Sequence, residues 1–245
     1  MKPQRIWIIP CAFFLAACAV NLYACWVDNV AVERYVKGAL MPLLSITTLA
    51  FLLPHKPDLR VVTTLLLAQL LGWAGDSLLM GDEFVWFASG IGCFLLGHVC
   101  YIVLFSSPLK GLSLGKWIVA VVVMAALLVA VVRLIGIEGA LLPPMAVYGA
   151  TLLFITFCGL CGVCRHKGPS AGVWWMVILG SVLFLFSDSL IAVGTFGKIP
   201  FPQGGFIIMV TYLAAQVLLC AAGIRLAVDN KNNSYICDNH PAGVL

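Results

Sequence analysis

Residues 116–136 read KWIVAVVVMAALLVAVVRLIG, and this stretch decides the fold class. The run between Lys116 and Arg133 contains no charged residue, no proline and no glycine. A run of about 20 apolar residues is long enough for an α-helix to cross the hydrocarbon core of a bilayer. We therefore expect a transmembrane helix here.

Seven further stretches have the same character, so the sequence predicts about eight transmembrane helices. In chain order the eight spans are Ile6–Val27, Gly38–Leu53, Arg60–Met80, Phe84–Phe105, Lys116–Gly136, Leu141–Val163, Gly172–Gly194 and Gly204–Ala227. The connections are short and leave no room for a second domain. We expect an all-α, polytopic helical bundle in residues 1–228 and a loose polar C-terminal tail in residues 229–245.

The composition excludes several other classes of protein. Of the 245 residues, 62% are hydrophobic and 10% are charged, and the mean hydropathy is +1.08. Soluble domains carry about 45–50% apolar and about 25% charged residues, so a soluble enzyme is excluded, as is a disordered chain. Continuous apolar runs also disfavour a membrane β-barrel, whose strands alternate. We expect an integral multi-pass protein of the plasma (cytoplasmic) membrane.

Basic residues are distributed unevenly between the two ends of the predicted helices. Ten of the 14 Lys and Arg residues lie on the side of the termini, and four lie on the opposite side. Positive charge favours the cytoplasmic side, so both termini are predicted to be cytoplasmic. The net charge is only +4 and no dense basic cluster is present, so nucleic acid is not expected as a partner.

Ionisable residues inside the spans are few, and each costs roughly 2.5–3.5 kcal/mol to insert, which makes them candidates for function. They are Asp76, His98 and Asp188, with Lys37 at the edge of the second span. An Asp-Ser-Leu motif ends the third and the seventh spans, so Asp76 and Asp188 are expected at similar depth. Two parallel four-helix repeats would produce this match, and so would chance.

Uncharged polar residues extend this set at helical spacing. His98 and Tyr101 are three residues apart, Tyr212 and Gln216 are four apart, and Tyr148 lies in the sixth span. Residues three or four apart share a helix face, so we expect them to line a polar cavity in the bundle. The alternative is that these side chains only bind neighbouring helices.

No metal or cofactor is expected. A zinc hydrolase site commonly needs three protein ligands, and only one histidine lies inside the spans. Ligation by Asp76, His98 and Asp188 remains the open alternative. The ten cysteines lie almost entirely in apolar runs, where cysteine behaves as a small hydrophobic residue.

Residues 75–105 read GDSLLMGDEFVWFASGIGCFLLGHVCYIVLF, and this stretch resembles the YhhN family of membrane proteins. The family has Gly-Asp near the end of the third span and F-x-x-G-x-x-x-F-L-x-G/S-H-x-x-Y in the fourth. The matching residues here are Gly75, Asp76, Phe87, Gly90, Phe94, Leu95, Gly97, His98 and Tyr101. Weaker matches to family elements are Lys37 with Met41 to Leu44, Gly180 to Leu190, and Tyr212 with Gln216.

The resemblance implies a lysoplasmalogenase, which hydrolyses the vinyl ether of a lysoplasmalogen to a fatty aldehyde and a glycerophospho-alcohol. Such hydrolysis needs an acid that is still protonated near neutral pH, which a carboxyl group in low dielectric can be. A second, ionised carboxylate can stabilise the cation and accept a proton from water. The expected catalytic pair is Asp76 and Asp188, with neither role assigned.

The remaining candidates are expected to bind or orient the substrate. Lys37 could hold the phosphate, and His98 with Tyr101 could orient a carboxylate or water. Tyr148, Tyr212 and Gln216 complete the set of expected orienting residues. The expected partners are a lysophospholipid entering from the bilayer and the surrounding membrane lipids.

Two other classes of function stay open. The intramembrane aspartates also fit a small-solute or proton-coupled transporter. A lipid-binding membrane protein without turnover is the third possibility. Release of aldehyde from a lysoplasmalogen distinguishes the enzyme from both.

Overall fold

A computed structural model of the chain describes residues 5–81, 83–136, 139, 142–196 and 203–238. The eight α-helices of this part are α1 (Ile8–Trp26), α2 (Val30–Leu52), α3 (Leu59–Leu78), α4 (Phe84–Phe105), α5 (Leu114–Ile135), α6 (Leu142–Arg165), α7 (Pro169–Phe196) and α8 (Gly204–Asp238). Every one is long and apolar enough to span a membrane, and no strand occurs among the described residues. The predicted all-α, eight-helix architecture is confirmed.

Two helix boundaries differ from the prediction. Helix α2 begins at Val30, eight residues before the predicted span, because the Asn29 side chain caps it by accepting a hydrogen bond from the Val32 backbone N–H. Helix α8 continues to Asp238, well into the segment expected to be a loose tail. That segment contains no glycine or proline before Pro241, so nothing in the sequence breaks the helix earlier.

The end of α5 is set by local backbone chemistry. Gly136 follows the helix with a φ of +74°, in the left-handed region that glycine adopts without strain, and its N–H bonds to the Val132 carbonyl. Arg133 therefore lies in the last turn of α5, at the mouth of the α5–α6 connection.

Sequential helices pack against each other except for α4 and α5, since α4 packs on α6 instead, and α8 crosses the bundle to contact α1, α2, α3, α4 and α7. In contrast, α5 packs mainly on α6 and α7 and has a single buried residue, Ala120. The core is therefore built by the other seven helices. Helix α5 lies at the periphery, with most of its surface left for lipid.

Candidate active site

All eight residues expected at the site lie in the described part of the chain. They come from six helices, and they are Lys37 on α2, Asp76 on α3, His98 and Tyr101 on α4, Tyr148 on α6, Asp188 on α7, and Tyr212 and Gln216 on α8. Both aspartates lie towards the end of the bundle at which α3 and α7 finish and α2 and α6 begin. The sequence motif thus places them at the same end.

Asp76 heads a chain of polar side chains that joins four helices. Tyr212 Oη donates to Asp76 Oδ2 at 2.5 Å, and Lys37 Nζ lies 3.8 Å from Asp76 Oδ1. Gln216 Nε2 donates to Tyr212 Oη at 3.2 Å, and Tyr101 Oη donates to Gln216 Oε1 at 3.2 Å. Asp76 is 3% exposed, so this carboxylate is buried with its partners in place.

Asp188 belongs to a second polar group. Tyr148 Oη donates to Asp188 Oδ2 at 2.5 Å. The Tyr148 ring lies 4.9 Å from the His98 ring, between centroids, and His98 Nδ1 lies 3.3 Å from Thr151 Oγ1. His98 is 1% exposed, and its Nε2 has no hydrogen-bond partner among the described residues. This nitrogen is free to bind a small polar group inside the protein.

An aromatic layer connects the two Asp–Tyr pairs. The Phe184 ring meets the His98 ring edge to face at 4.8 Å and the Tyr212 ring at 5.5 Å. Phe94 packs edge to face against Phe184 at 6.0 Å and against Tyr212 at 6.2 Å. The polar ends of both pairs therefore border one apolar, aromatic wall.

The two carboxyl groups differ in their charged surroundings. Asp76 is paired with Lys37, whereas no cation of the described residues lies within ion-pair distance of Asp188. An anion is stabilised at Asp76 more than at Asp188, because only Asp76 has an ammonium group against it.

Space for small molecules lies beside Asp188. Asp188 and Tyr148 line two cavities of about 30 Å³ each, one bordered by Phe94 and the other by Leu128. Each is large enough to hold a water molecule. The carboxyl group of Asp188 is therefore accessible to water or to a narrow substrate group.

Close helix contacts fix these positions. Gly75 precedes Asp76, and a Cβ at Gly75 would come within 2.7 Å of the Phe94 ring, so glycine allows α4 to lie against α3 at the site. Trp73 Nε1 donates to the Gly38 carbonyl at 2.9 Å, which ties α3 to α2 beside Lys37. The bond holds the two helices that carry the ion pair.

Sequence reasoning missed three residues that contact the site. Trp73, Thr151 and Phe184 were not among the expected residues, although Trp73 is three residues before Asp76 and Thr151 three after Tyr148. That spacing is the signal that could have placed Trp73 and Thr151 on the same helix faces. No spacing pattern in the sequence singles out Phe184, because aromatic residues occur in every one of the predicted helices.

One expected pairing separates in the structure. Tyr101 donates a hydrogen bond to Gln216 and belongs to the polar group of Asp76. His98 contacts Thr151 and Tyr148 and belongs to the polar group of Asp188. The ligand set left open for a metal is not assembled either. Among the described residues, no three His, Cys, Asp or Glu side chains lie together in a way that could hold a metal ion.

Comparison with known proteins gives consistent matches. The model of the YhhN family matches residues 32–223. Lysoplasmalogenase TMEM86B of Homo sapiens is 30% identical over 225 residues, which cover 91% of this chain and 88% of the relative. Lysoplasmalogenase TMEM86A of Bos taurus is 27% identical over 179 residues, which cover 72% of this chain and 70% of the relative. No solved structure matches the chain.

Proposed function

Since the chain belongs to the YhhN family, we propose that it is a membrane-embedded hydrolase that cleaves the vinyl ether of lysoplasmalogens with Asp188 as acid and Asp76 as supporting carboxylate. The reaction follows from the curated relatives, which are named lysoplasmalogenases. The assignment of residues rests on one observation: two Asp–Tyr pairs border the same aromatic wall, and among the described residues only the Asp76 pair has a cation within ion-pair distance.

The chemistry divides into three steps. A proton moves from the acid to the β-carbon of the vinyl ether, which leaves an oxocarbenium ion at the carbon bonded to oxygen. Water adds to that carbon and gives up one proton to a base. The resulting hemiacetal then breaks its bond to the glycerol oxygen, which takes a proton, and releases the aldehyde. One water molecule is consumed, and the acid is regenerated.

Asp188 suits the role of acid. It has no cation at ion-pair distance among the described residues, so its proton is not displaced by a neighbouring positive charge. Tyr148 donates to Oδ2, which leaves Oδ1 to carry the proton that is transferred. The cavities beside it are where the vinyl group would approach.

Asp76 suits the role of the anion. Lys37 and Tyr212 both stabilise its negative charge, so it remains ionised while a cation develops nearby. In the low dielectric of the bundle this charge lowers the energy of the oxocarbenium ion. We assign His98, through its unpartnered Nε2, the task of holding the attacking water.

The test compares three Asp to Asn variants in purified protein, with aldehyde release from lysoplasmenylethanolamine as the measurement. Asp188→Asn and Asp76→Asn should each lower kcat by about 1,000-fold or more, because an amide can neither donate the proton nor carry the charge. Asp28→Asn is the matched control, since Asp28 is exposed and has a φ of +53°, which asparagine tolerates. Activity within threefold of wild type in either site variant would remove that aspartate from the mechanism.

The same assay decides between the enzyme and the alternatives. A transporter or a lipid-binding protein would release no aldehyde from any variant. Transporter sites are often built from helices that break near the middle of the membrane, whereas each of the eight described helices is continuous. We also place the site in the leaflet of the plasma membrane that faces away from the cytoplasm, on the basis of the Lys and Arg distribution.

A further inference from the structure

A large cavity lies between the end of α5 and the start of α6, at the same end of the bundle as the two aspartates. Its volume is about 670 Å³, which is within the usual range for a small-molecule site. The wall includes Leu128, Val132 and Arg133 of α5 and Leu142 and Ala146 of α6. The cavity is therefore mostly apolar, with one cationic side chain at its rim.

This cavity adjoins the space beside the proposed acid. Leu128 and Val132 line the large cavity, and they also line the small cavity that is bordered by Tyr148 and Asp188. The two spaces thus share a wall on α5. A ligand that fills the large cavity has its inner end against the proposed reaction site, and α5 beside it packs mainly on α6 and α7.

Arg133 is the cation that the described wall of this cavity presents to a ligand. It is exposed, and no described residue forms an ion pair or hydrogen bond with it. Lys37, the residue first expected to hold a phosphate, already lies 3.8 Å from Asp76, so an anion there would compete with the carboxylate. Arginine also suits phosphate better, because its planar guanidinium group donates two parallel hydrogen bonds.

We propose that the α5–α6 cavity binds the glycerophosphate end of the lysolipid and that Arg133 contacts its phosphate. This rests on the proposed function, since it names how the substrate of that site is held. The roles proposed for Asp76 and Asp188 do not depend on this phosphate site. The ethanolamine or choline group would then lie at the open rim of the cavity.

The positions along the helices fit the length of the substrate. Arg133 lies two residues before the last residue of α5, and Tyr148 lies six residues after the first residue of α6. At about 1.5 Å per residue, Arg133 lies about 3 Å from the end of α5 and Tyr148 about 9 Å from the start of α6. The β-carbon of a lysoplasmalogen is seven bonds from its phosphorus, a reach of about 8 Å when extended. The phosphate can contact Arg133 while the vinyl ether reaches Asp188.

The first experiment compares two substrates that differ only in the phosphate-bearing group: lysoplasmenylethanolamine and 1-alkenylglycerol. Arg133→Gln should lower kcat/KM at least tenfold for the first substrate, mainly through KM, and less than twofold for the second. Arg165→Gln, at the opposite end of α6, is the matched control and should change neither. An equal loss for both substrates, or no loss for either, would overturn the proposal.

A second experiment measures binding without turnover. The Asp188→Asn protein and its Arg133→Gln double variant are titrated with a fluorescent-chain lysophosphatidylethanolamine, and the double variant should bind at least tenfold more weakly. If wild type released no aldehyde but this difference remained, the proposed function would fail and the phosphate site would stand. If aldehyde were released and binding did not depend on Arg133, the phosphate site alone would be wrong.

Discussion

Asp76 and Asp188 have different neighbours, and we propose that these neighbours give the two carboxyl groups different roles. Both carboxyl groups accept a hydrogen bond from a tyrosine at 2.5 Å, yet only Asp76 also has an ammonium group beside it. We propose that Lys37, which lies 3.8 Å from Asp76, keeps the negative charge on that carboxyl group. A carboxyl group that acts as an acid must keep its proton, whereas one that stabilises a cation must be ionised. The different neighbours of Asp188 and Asp76 fit these two requirements.

At the residue scale, Tyr148→Phe is expected to lower kcat by about 10- to 100-fold. The variant removes the hydrogen bond that orients the Asp188 carboxyl group but keeps the ring that packs against His98. KM should change little, because the hydroxyl does not hold the phosphate. Steady-state kinetics of aldehyde release measures both constants. Tyr23→Phe is the control, since Tyr23 is 69% exposed; equal kinetics in the two variants would contradict the role of Tyr148.

At the scale of helices, the pair α6–α7 carries both Tyr148 and Asp188, so its packing sets their distance. Gly162 of α6 faces the ring of Trp174 on α7, which is 2% exposed, and any Cβ at Gly162 would overlap that ring. Gly159 makes a similar contact, since its Cβ would come within 2.7 Å of the Ile178 side chain. The absence of side chains at these two positions allows the helices to pack closely.

Gly162→Ala should therefore destabilise the protein. Overpacking of a buried contact costs typically about 1–3 kcal/mol, which should lower Tm by about 2–12 °C for a chain of this size. Gly172→Ala is the matched control on α7, because no atom lies within 4 Å of a Cβ built there and alanine favours a helix more than glycine does. Thermal unfolding in detergent measures both. A Gly162 variant as stable as the Gly172 variant would show that α6 and α7 tolerate wider spacing.

At the scale of the molecule, the residues of the proposed reaction site and phosphate site all lie at one end of the bundle. The two aspartates, Lys37 and Arg133 all lie towards the end at which the odd-numbered helices finish. Eight continuous helices return the chain to its starting side, so this end is opposite the termini. A lysolipid has one chain, and it can enter from the adjoining leaflet with its head group at the membrane surface.

We predict that both termini are cytoplasmic, because the spans predicted from the sequence assign ten of the 14 basic residues to the side of the termini. In a bacterial host, a fluorescent protein fused after Leu245 should fluoresce, and alkaline phosphatase fused there should be inactive. Phosphatase inserted after Gly136, in the α5–α6 connection, should be active. Activity of the fusion after Leu245 would reverse the orientation and place the site on the cytoplasmic side.

The sequence by itself determined the number of helices in the described part of the chain, and it predicted eight candidate site residues but not Trp73, Thr151 or Phe184. A helix that crosses a bilayer needs only a local run of apolar residues, and a polar residue within such a run is rare enough to be noticed. For this reason residues 116–136 predicted α5 directly, and all eight expected site residues came from the chain alone. The hydropathy pattern did not predict the early start of α2 or the late end of α8. Helix capping and the lack of a helix-breaking residue set these boundaries, and neither changes the hydropathy.

The tertiary structure decided which of these residues act on each other. Asp76 and its tyrosine are 136 positions apart, and Asp188 and its tyrosine are 40 apart, so each pairing depends on how two helices are rotated about their axes. Hydropathy carries no information on that rotation, because it sums residues regardless of the face they occupy. The cavity beside Arg133 also depends on the tertiary structure, because residues of both α5 and α6 line it. Neither helix sequence predicts it by itself.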